Sequence, residues 1–570
     1  MNLTYRKHKF SVYQLFVRTF SNTNPTNKPW GTKEENGVGK FLDITDQALK
    51  SIKELGITHI WYTGVIEHAV VGDYSAFQIP TDHPSIVKGR AGSPYAIKNY
   101  FQVHPDLAKD VSKRMDEFED LVRRTHQQAM KVIIDFVPNH VARTYYSSGK
   151  PQTTINFGEK DNPNVHFSPQ NNFYYFPNEA FKVPPHDTPT LVGVKNQYHE
   201  KPAKATGNDC FRPDPTIHDW YETVKLNYGI DYMGGKSRFF SPTPSTWLIM
   251  EQVLLFWAGK GVDGFRCDMA EMVPAEFWQW VIPRIKEHYP YIIFIAEIYQ
   301  PPIYETYLKA GFDFLYDKVG LYDALRAVLE KKQPAHSLSQ SIYGIFERKM
   351  IRFLENHDEQ RIASDFFAKD MMAGIAGMVI TAFAHSGPVM IYNGQEVGEK
   401  GNLEEGFSKK DGRTSIFDYC SMPQMIRWVN GGKFDGAKLN EDERHLREMY
   451  RDILKLAITS EAIGEGGFYD LTYPNQHRAS YDSVRLYPFI RYSRYQRLLI
   501  VVNLSNEEVN AKIVIPQHAF ETCQIPHKDS YKGQDILFTD NRWWFTRQDA
   551  IEKGITVLLA PYSAYAIEIH

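Results

Sequence analysis

At 570 residues the chain is too long for one domain of ordinary size, and 42% hydrophobic with 23% charged residues places it among soluble globular proteins. A formal net charge of −3 leaves no basic footprint for nucleic acid or an anionic membrane surface. The four cysteines, Cys210, Cys267, Cys420 and Cys523, are far apart and form no CxxC pair, which argues against a zinc centre or a disulfide framework.

In chain order, residues 1–10 show no apolar core and no small-residue cleavage site, so the expected location is cytoplasmic. Residues 11–18 read as a first strand and 21–39, rich in Asn, Thr, Gly and Pro, as a loop. Asp43 or Thr45 is placed to cap a helix with apolar residues at Ile44, Ala48, Leu49, Ile52 and Leu55, ended by Gly56. A second strand over 57–65 leads to a long loop carrying Tyr95. A helix over 116–130 then feeds the run 131–140, which is apolar and delivers Asp135, Asn139 and His140. From 142 to about 228 Pro, Asn and aromatics are dense and no helical period appears, as in an inserted excursion.

Alternation then resumes. A helix over 245–259 feeds Gly261-Val-Asp-Gly-Phe-Arg-Cys-Asp268, and one over 274–289 feeds the run ending in Glu297. A short strand at 311–317, a helix at 321–330 and the run ending in Asn356, His357 and Asp358 follow. Residues 371–392 carry no charged side chain and approach the length of a membrane span. The Ala and Gly content and the break at His385-Ser-Gly-Pro388 favour a buried helix, a turn and an eighth strand instead. After a helix over 441–460, capped by Asn440, short strands are expected at 483–492, 498–504, 512–515, 555–559 and 564–569. The count predicts an α/β fold: a (β/α)8 TIM barrel over 1–140 and 229–463, a loop-rich domain B inserted at 141–228, and a C-terminal antiparallel β-sandwich domain over 464–570.

Arg266 and Asp268 are two residues apart on a strand and so share a face, where the Arg is expected to hold the Asp ionised. A barrel would gather Asp268, Glu297 and Asp358 on one rim. The residues alone leave two readings open, a pair of carboxylates cleaving a glycosidic bond or a carboxylate cluster around a divalent metal.

The runs Asp135-Phe-Val-Pro-Asn-His140, Gly264-Phe-Arg-Cys-Asp268, Ala296-Glu-Ile298 and Phe353-Leu-Glu-Asn-His-Asp358 resemble, in order, the four signature regions of the α-amylase family, glycoside hydrolase family 13. The resemblance implies Asp268 as nucleophile, Glu297 as general acid/base and Asp358 as the group holding the distorted sugar. Arg266 would orient Asp268, His140 and His357 would bind sugar hydroxyls, and Tyr95 would stack on the ring. Asn139 falls where many members bind a structural calcium, so a calcium is implied there, and no organic cofactor. The acidic calcium loop that some members carry after the first strand has no counterpart in 21–39, and Glu271 and Met272 stand where many amylases have Lys-His. The expected activity is retaining hydrolysis of α-1,4-glucans or maltooligosaccharides. A transglycosylase or isomerase of the family would keep the same residues. A non-catalytic barrel subunit would be expected to lose a carboxylate or gain an anchor, and the sequence shows neither. Glu297, at the end of an apolar run and facing Asp268 and Asp358, is expected to be the most upward-shifted carboxyl, with Arg266 holding Asp268 down.

Overall fold

Eight of the apolar runs become parallel strands: β1 (Ser11–Phe16), β2 (His59–Thr63), β3 (Lys131–Phe136), β4 (Gly264–Cys267), β5 (Ile293–Ala296), β6 (Phe314–Tyr316), β7 (Met350–Phe353) and β8 (Val389–Tyr392). Each pairs with its neighbours in sequence, and β1 closes on β8 with Ser11 opposite Val389, making a (β/α)8 barrel. This computed structural model describes residues 9–152, 154–342, 344 and 346–570. Residues 1–8, most of the stretch read for an export signal, lie outside that range.

Strand alternation sorts the side chains into two layers. Val12, Trp61, Ile133, Ile295, Tyr316, Ile351, Phe353 and Met390 point inward and fill the barrel. Val132, Ile134, Phe136, Phe265, Cys267 and Phe294 point outward into the main core beneath the helices. Cys267 thus faces away from Arg266 and Asp268, as their spacing requires. Gly264 is needed where β4 meets β5, because a Cβ there would lie 2.5 Å from Ile293 Cγ1.

The helices follow their sequence signals. α1 (Asp46–Glu54) is capped by Thr45, whose side chain accepts from Ala48 N, and α2 (Arg114–Gln127) buries Phe118, Leu121 and Val122. α3 (Ser245–Gly259) and α4 (Ala275–His288) precede β4 and β5. α5 (Ala373–Phe383) is buried along its whole length, which explains its uncharged sequence. It packs between β7, α6 (Glu441–Thr459) and the C-terminal sheet. α6 begins with a capping box made by Asn440 and Glu443. Among the described residues no helix is long and apolar enough to cross a membrane.

Between β3 and α3 the chain makes its excursion, with short antiparallel pairs and a single 3-10 turn at Pro189–Leu191 among the described residues. His140–Ala142 pairs with Thr223–Lys225, and Tyr175–Phe176 with Ala203–Lys204, over an aromatic cluster that includes Tyr174 and Tyr221.

The C-terminal region is an antiparallel sheet of six strands, backed by the pair Val509–Ile513 and Ile555–Leu559 over a second core. The strand expected at 512–515 sits at Val509–Ile513, where Val509, Ala511 and Ile513 alternate with exposed residues. Three strands escaped the sequence reading: Gly467–Asp470, Ser530–Asp535 and Arg542–Thr546. Ser530–Asp535 is polar, and its inward positions are Tyr531, Gly533 and Asp535. Asp535 is nevertheless buried because its carboxylate accepts main-chain N–H groups of Leu537, Thr539 and Ala566.

Candidate active site

The inward layer changes from apolar to polar at the C-terminal ends of the strands. Two positions beyond Ile133 is Asp135, two beyond Gly264 is Arg266, and two beyond Ile295 is Glu297, each on the barrel's inner face. Arg266, 1% exposed, lies over the rings of Trp61 and Tyr316, with its guanidinium carbon 5.2 and 5.6 Å from their centroids. From there it reaches three carboxylates. Nη1 is 2.9 Å from Asp268 Oδ1 and 3.4 Å from Asp135 Oδ1, and Nη2 is 2.7 Å from Glu297 Oε1.

Glu297 is held at both oxygens. Tyr299 Oη donates to Oε1 at 2.6 Å, and the main-chain N–H of Met269 donates to Oε2 at 2.8 Å. Met269 has φ 41°, a left-handed conformation that turns this N–H toward the carboxylate. Asp268 differs: Oδ1 faces Arg266, while Oδ2 is buried with no hydrogen-bond partner among the described residues. Asp358 lies five residues past β7. Its N–H and that of Glu359 donate to Asn356 Oδ1 at 2.9 Å, and its side chain keeps 43% of its accessible surface. All three carboxyls line one cleft of about 310 Å³, together with Tyr95, His140 and Trp220.

His357 is fixed by Gln14 Nε2 at Nδ1, 2.8 Å, and by Tyr95 Oη at Nε2, 2.5 Å, and its ring lies 5.2 Å from that of Tyr95. His140 lies against Trp220 at 5.2 Å. Burial pulls both imidazoles down to about 3, with Lys225 adding to the effect at His140 and Arg266 at His357. They are therefore neutral near pH 7.

The expectation that Arg266 holds Asp268 down fails. Burial pushes the Asp268 carboxyl well above its ordinary value, and the charges of Glu297 and Asp135 push the same way against Arg266. Burial likewise raises Asp135 to about 6, and partial desolvation in the cleft shifts the half-exposed Asp358 upward. One guanidinium shared among three buried carboxylates cannot neutralise them all.

This gives a pH prediction. A nucleophilic Asp268 must be ionised, so kcat/KM should fall as pH drops through its raised pKa. The acid limb should then lie clearly above the ordinary Asp range of about pH 4. A limb at or below about pH 4 would contradict the burial argument.

All the site residues expected from sequence except Asn139 meet at the cleft or at Arg266 and His357. Asn139 is wholly buried behind it, and its surroundings do not fit a bound calcium. Lys225 Nζ donates to Asn139 Oδ1, so an ammonium already occupies that oxygen. Among the described residues no group of three or more His, Cys, Asp or Glu is disposed to hold a metal ion. Sequence reasoning missed Tyr299 and Trp220. The spacing of Glu297 and Tyr299 was a usable signal, since alternate residues share a face. Trp220 comes from the irregular excursion and had none. Glu271, in place of the usual Lys, accepts from Tyr299 N at 3.0 Å and is tethered beside Glu297.

The family model "Alpha amylase, catalytic domain" matches residues 14–427. A relative, Alpha-amylase 3 of Dictyoglomus thermophilum, is 21% identical over 98% of this chain and 92% of its own length. An α-1,4-glucan:maltose-1-phosphate maltosyltransferase of Rhodospirillum rubrum is 36% identical over 18% of this chain and 14% of its own. Among solved structures, the maltogenic α-amylase AmyB of Thermotoga neapolitana superposes with a TM-score of 0.62 at 19% identity, covering 100% of this chain and 99% of that one. The α-amylase of Geobacillus thermoleovorans, solved with acarbose, gives 0.60 at 17% identity and 99% coverage of both. With the family match spanning most of the chain and carboxylates gathered at the barrel's C-terminal rim, the chain belongs to the α-amylase family of glycoside hydrolases.

Proposed function

We propose that the protein hydrolyses α-1,4-glucosidic bonds of maltooligosaccharides or starch-like glucans by a retaining double displacement. The observation that carries this reading is the shared clamp: one guanidinium contacts both Asp268 and Glu297, leaving Asp268 Oδ2 free. Carboxyls held so closely suit the short separation of retaining enzymes, about 5–5.5 Å, better than the 6.5–9.5 Å that admits a water between them.

In the first step Asp268 Oδ2 attacks the anomeric carbon while Glu297 gives its proton to the departing glycosidic oxygen. The C–O bond to the leaving sugar breaks and a glycosyl ester of Asp268 forms. In the second step Glu297 takes a proton from water, the water oxygen attacks the anomeric carbon, and the Asp268 carboxylate leaves. Two inversions give net retention. Asp358 and the neutral His140 and His357 would hold the sugar hydroxyls, with Tyr95 against the ring face.

Transfer to a sugar acceptor in place of water is the second reading, favoured by the local likeness to the maltosyltransferase. A product time course on maltoheptaose and a cyclic dextrin tests the two. Hydrolysis yields chains with no more glucose units than the substrate, whereas transfer as the main activity yields longer ones from the start.

A further inference from the structure

Lys225 is 1% exposed, and its ammonium meets three oxygens from three parts of the chain. These are Asn139 Oδ1 beyond β3, Asp209 Oδ1 of the excursion at 2.7 Å, and the main-chain carbonyl of Met272 after β4 at 3.3 Å. The ring of Tyr232 covers it at 5.6 Å. An ammonium has three N–H donors, so three oxygens saturate it. An amide oxygen, a carboxylate and a carbonyl are also what a calcium ion would take. A lysine and a cation cannot share them.

We propose that the Lys225 ammonium replaces a structural cation here, tying the excursion to the barrel rim so that the fold needs no metal at this point. The site's place in the fold gives the tie its consequence. Lys225 pairs with His140 across the short sheet, so the clamp lies directly behind a cleft residue. Through Met272 it also secures residues 269–272, the turn whose first N–H holds Glu297. A buried charge left without its partner is strongly destabilising, and the converse holds for oxygens left without the charge.

The test reads stability, so it stands apart from the proposed reaction. Melting temperature of the full chain is measured after exhaustive chelation and again with millimolar calcium, for the wild type and for Lys225→Met. Wild type should melt at the same temperature in both. Lys225→Met should melt lower by roughly 5 °C, having lost the charge but kept the stem. If Lys225→Met does not fold, Asp209→Asn, which removes the carboxylate, should show a smaller drop in the same direction. A wild type that loses stability on chelation and regains it with calcium overturns the proposal. So does a variant that melts with the wild type.

Discussion

Replacing Asp268 with asparagine should lower kcat on maltooligosaccharides by roughly 10⁴-fold or more, with a melting temperature close to that of the wild type. The amide keeps the shape of the carboxylate but is a poor nucleophile. The site should tolerate it, because burial already disfavours charge at this position and a neutral amide carries none. Arg266 keeps Glu297 at 2.7 Å and Asp135 at 3.4 Å, so its own charge stays compensated. Steady-state kinetics beside thermal denaturation separates loss of chemistry from loss of fold. Turnover within tenfold of the wild type would remove Asp268 from the nucleophile's role.

The second large effect is expected at Glu297→Gln. Loss of the proton donor should cost about 10³-fold on natural glucans. Substrates with good leaving groups need no proton in the first step, so they should still form the glycosyl ester of Asp268 and then stall. Azide needs no general base and should rescue them, giving a glycosyl azide of retained configuration. The two contacts at Oε1, from Tyr299 Oη and Arg266 Nη2, can also be made to an amide oxygen, so the variant should hold its position. Near-normal turnover on maltoheptaose, or no azide adduct from an activated substrate, would place the acid/base elsewhere.

The barrel and the pairing of Arg266 with Asp268 were legible because strand periodicity writes them into sequence. Apolar residues at Ile133 and Ile295 announce inward positions, and Asp135 and Glu297 continue the same alternation. Asp358 could not be found that way. It sits in an irregular turn held by Asn356, and its place at the end of an apolar run and its likeness to a known motif marked it rather than strand alternation. The upward shift of the Asp268 carboxyl was missed because its neighbour Arg266 is local in sequence, whereas its burial and the charges of Glu297 and Asp135 are set by other strands. Asn139 was read toward calcium for the same reason. The lysine that satisfies it lies 86 residues away, and no local pattern joins the two. The polar strand Ser530–Asp535 was invisible because its buried positions are filled by a tyrosine, a glycine and a hydrogen-bonded aspartate rather than by branched apolar residues.

The central claim, retaining cleavage by Asp268 and Glu297, is tested most directly by following the anomeric protons of the products during early hydrolysis of maltoheptaose by NMR. Two successive inversions predict that new reducing ends appear first as the α-anomer and reach the α/β equilibrium only later by mutarotation. First appearance of the β-anomer would mean a single inverting displacement, and would contradict both the covalent role of Asp268 and the dual role of Glu297.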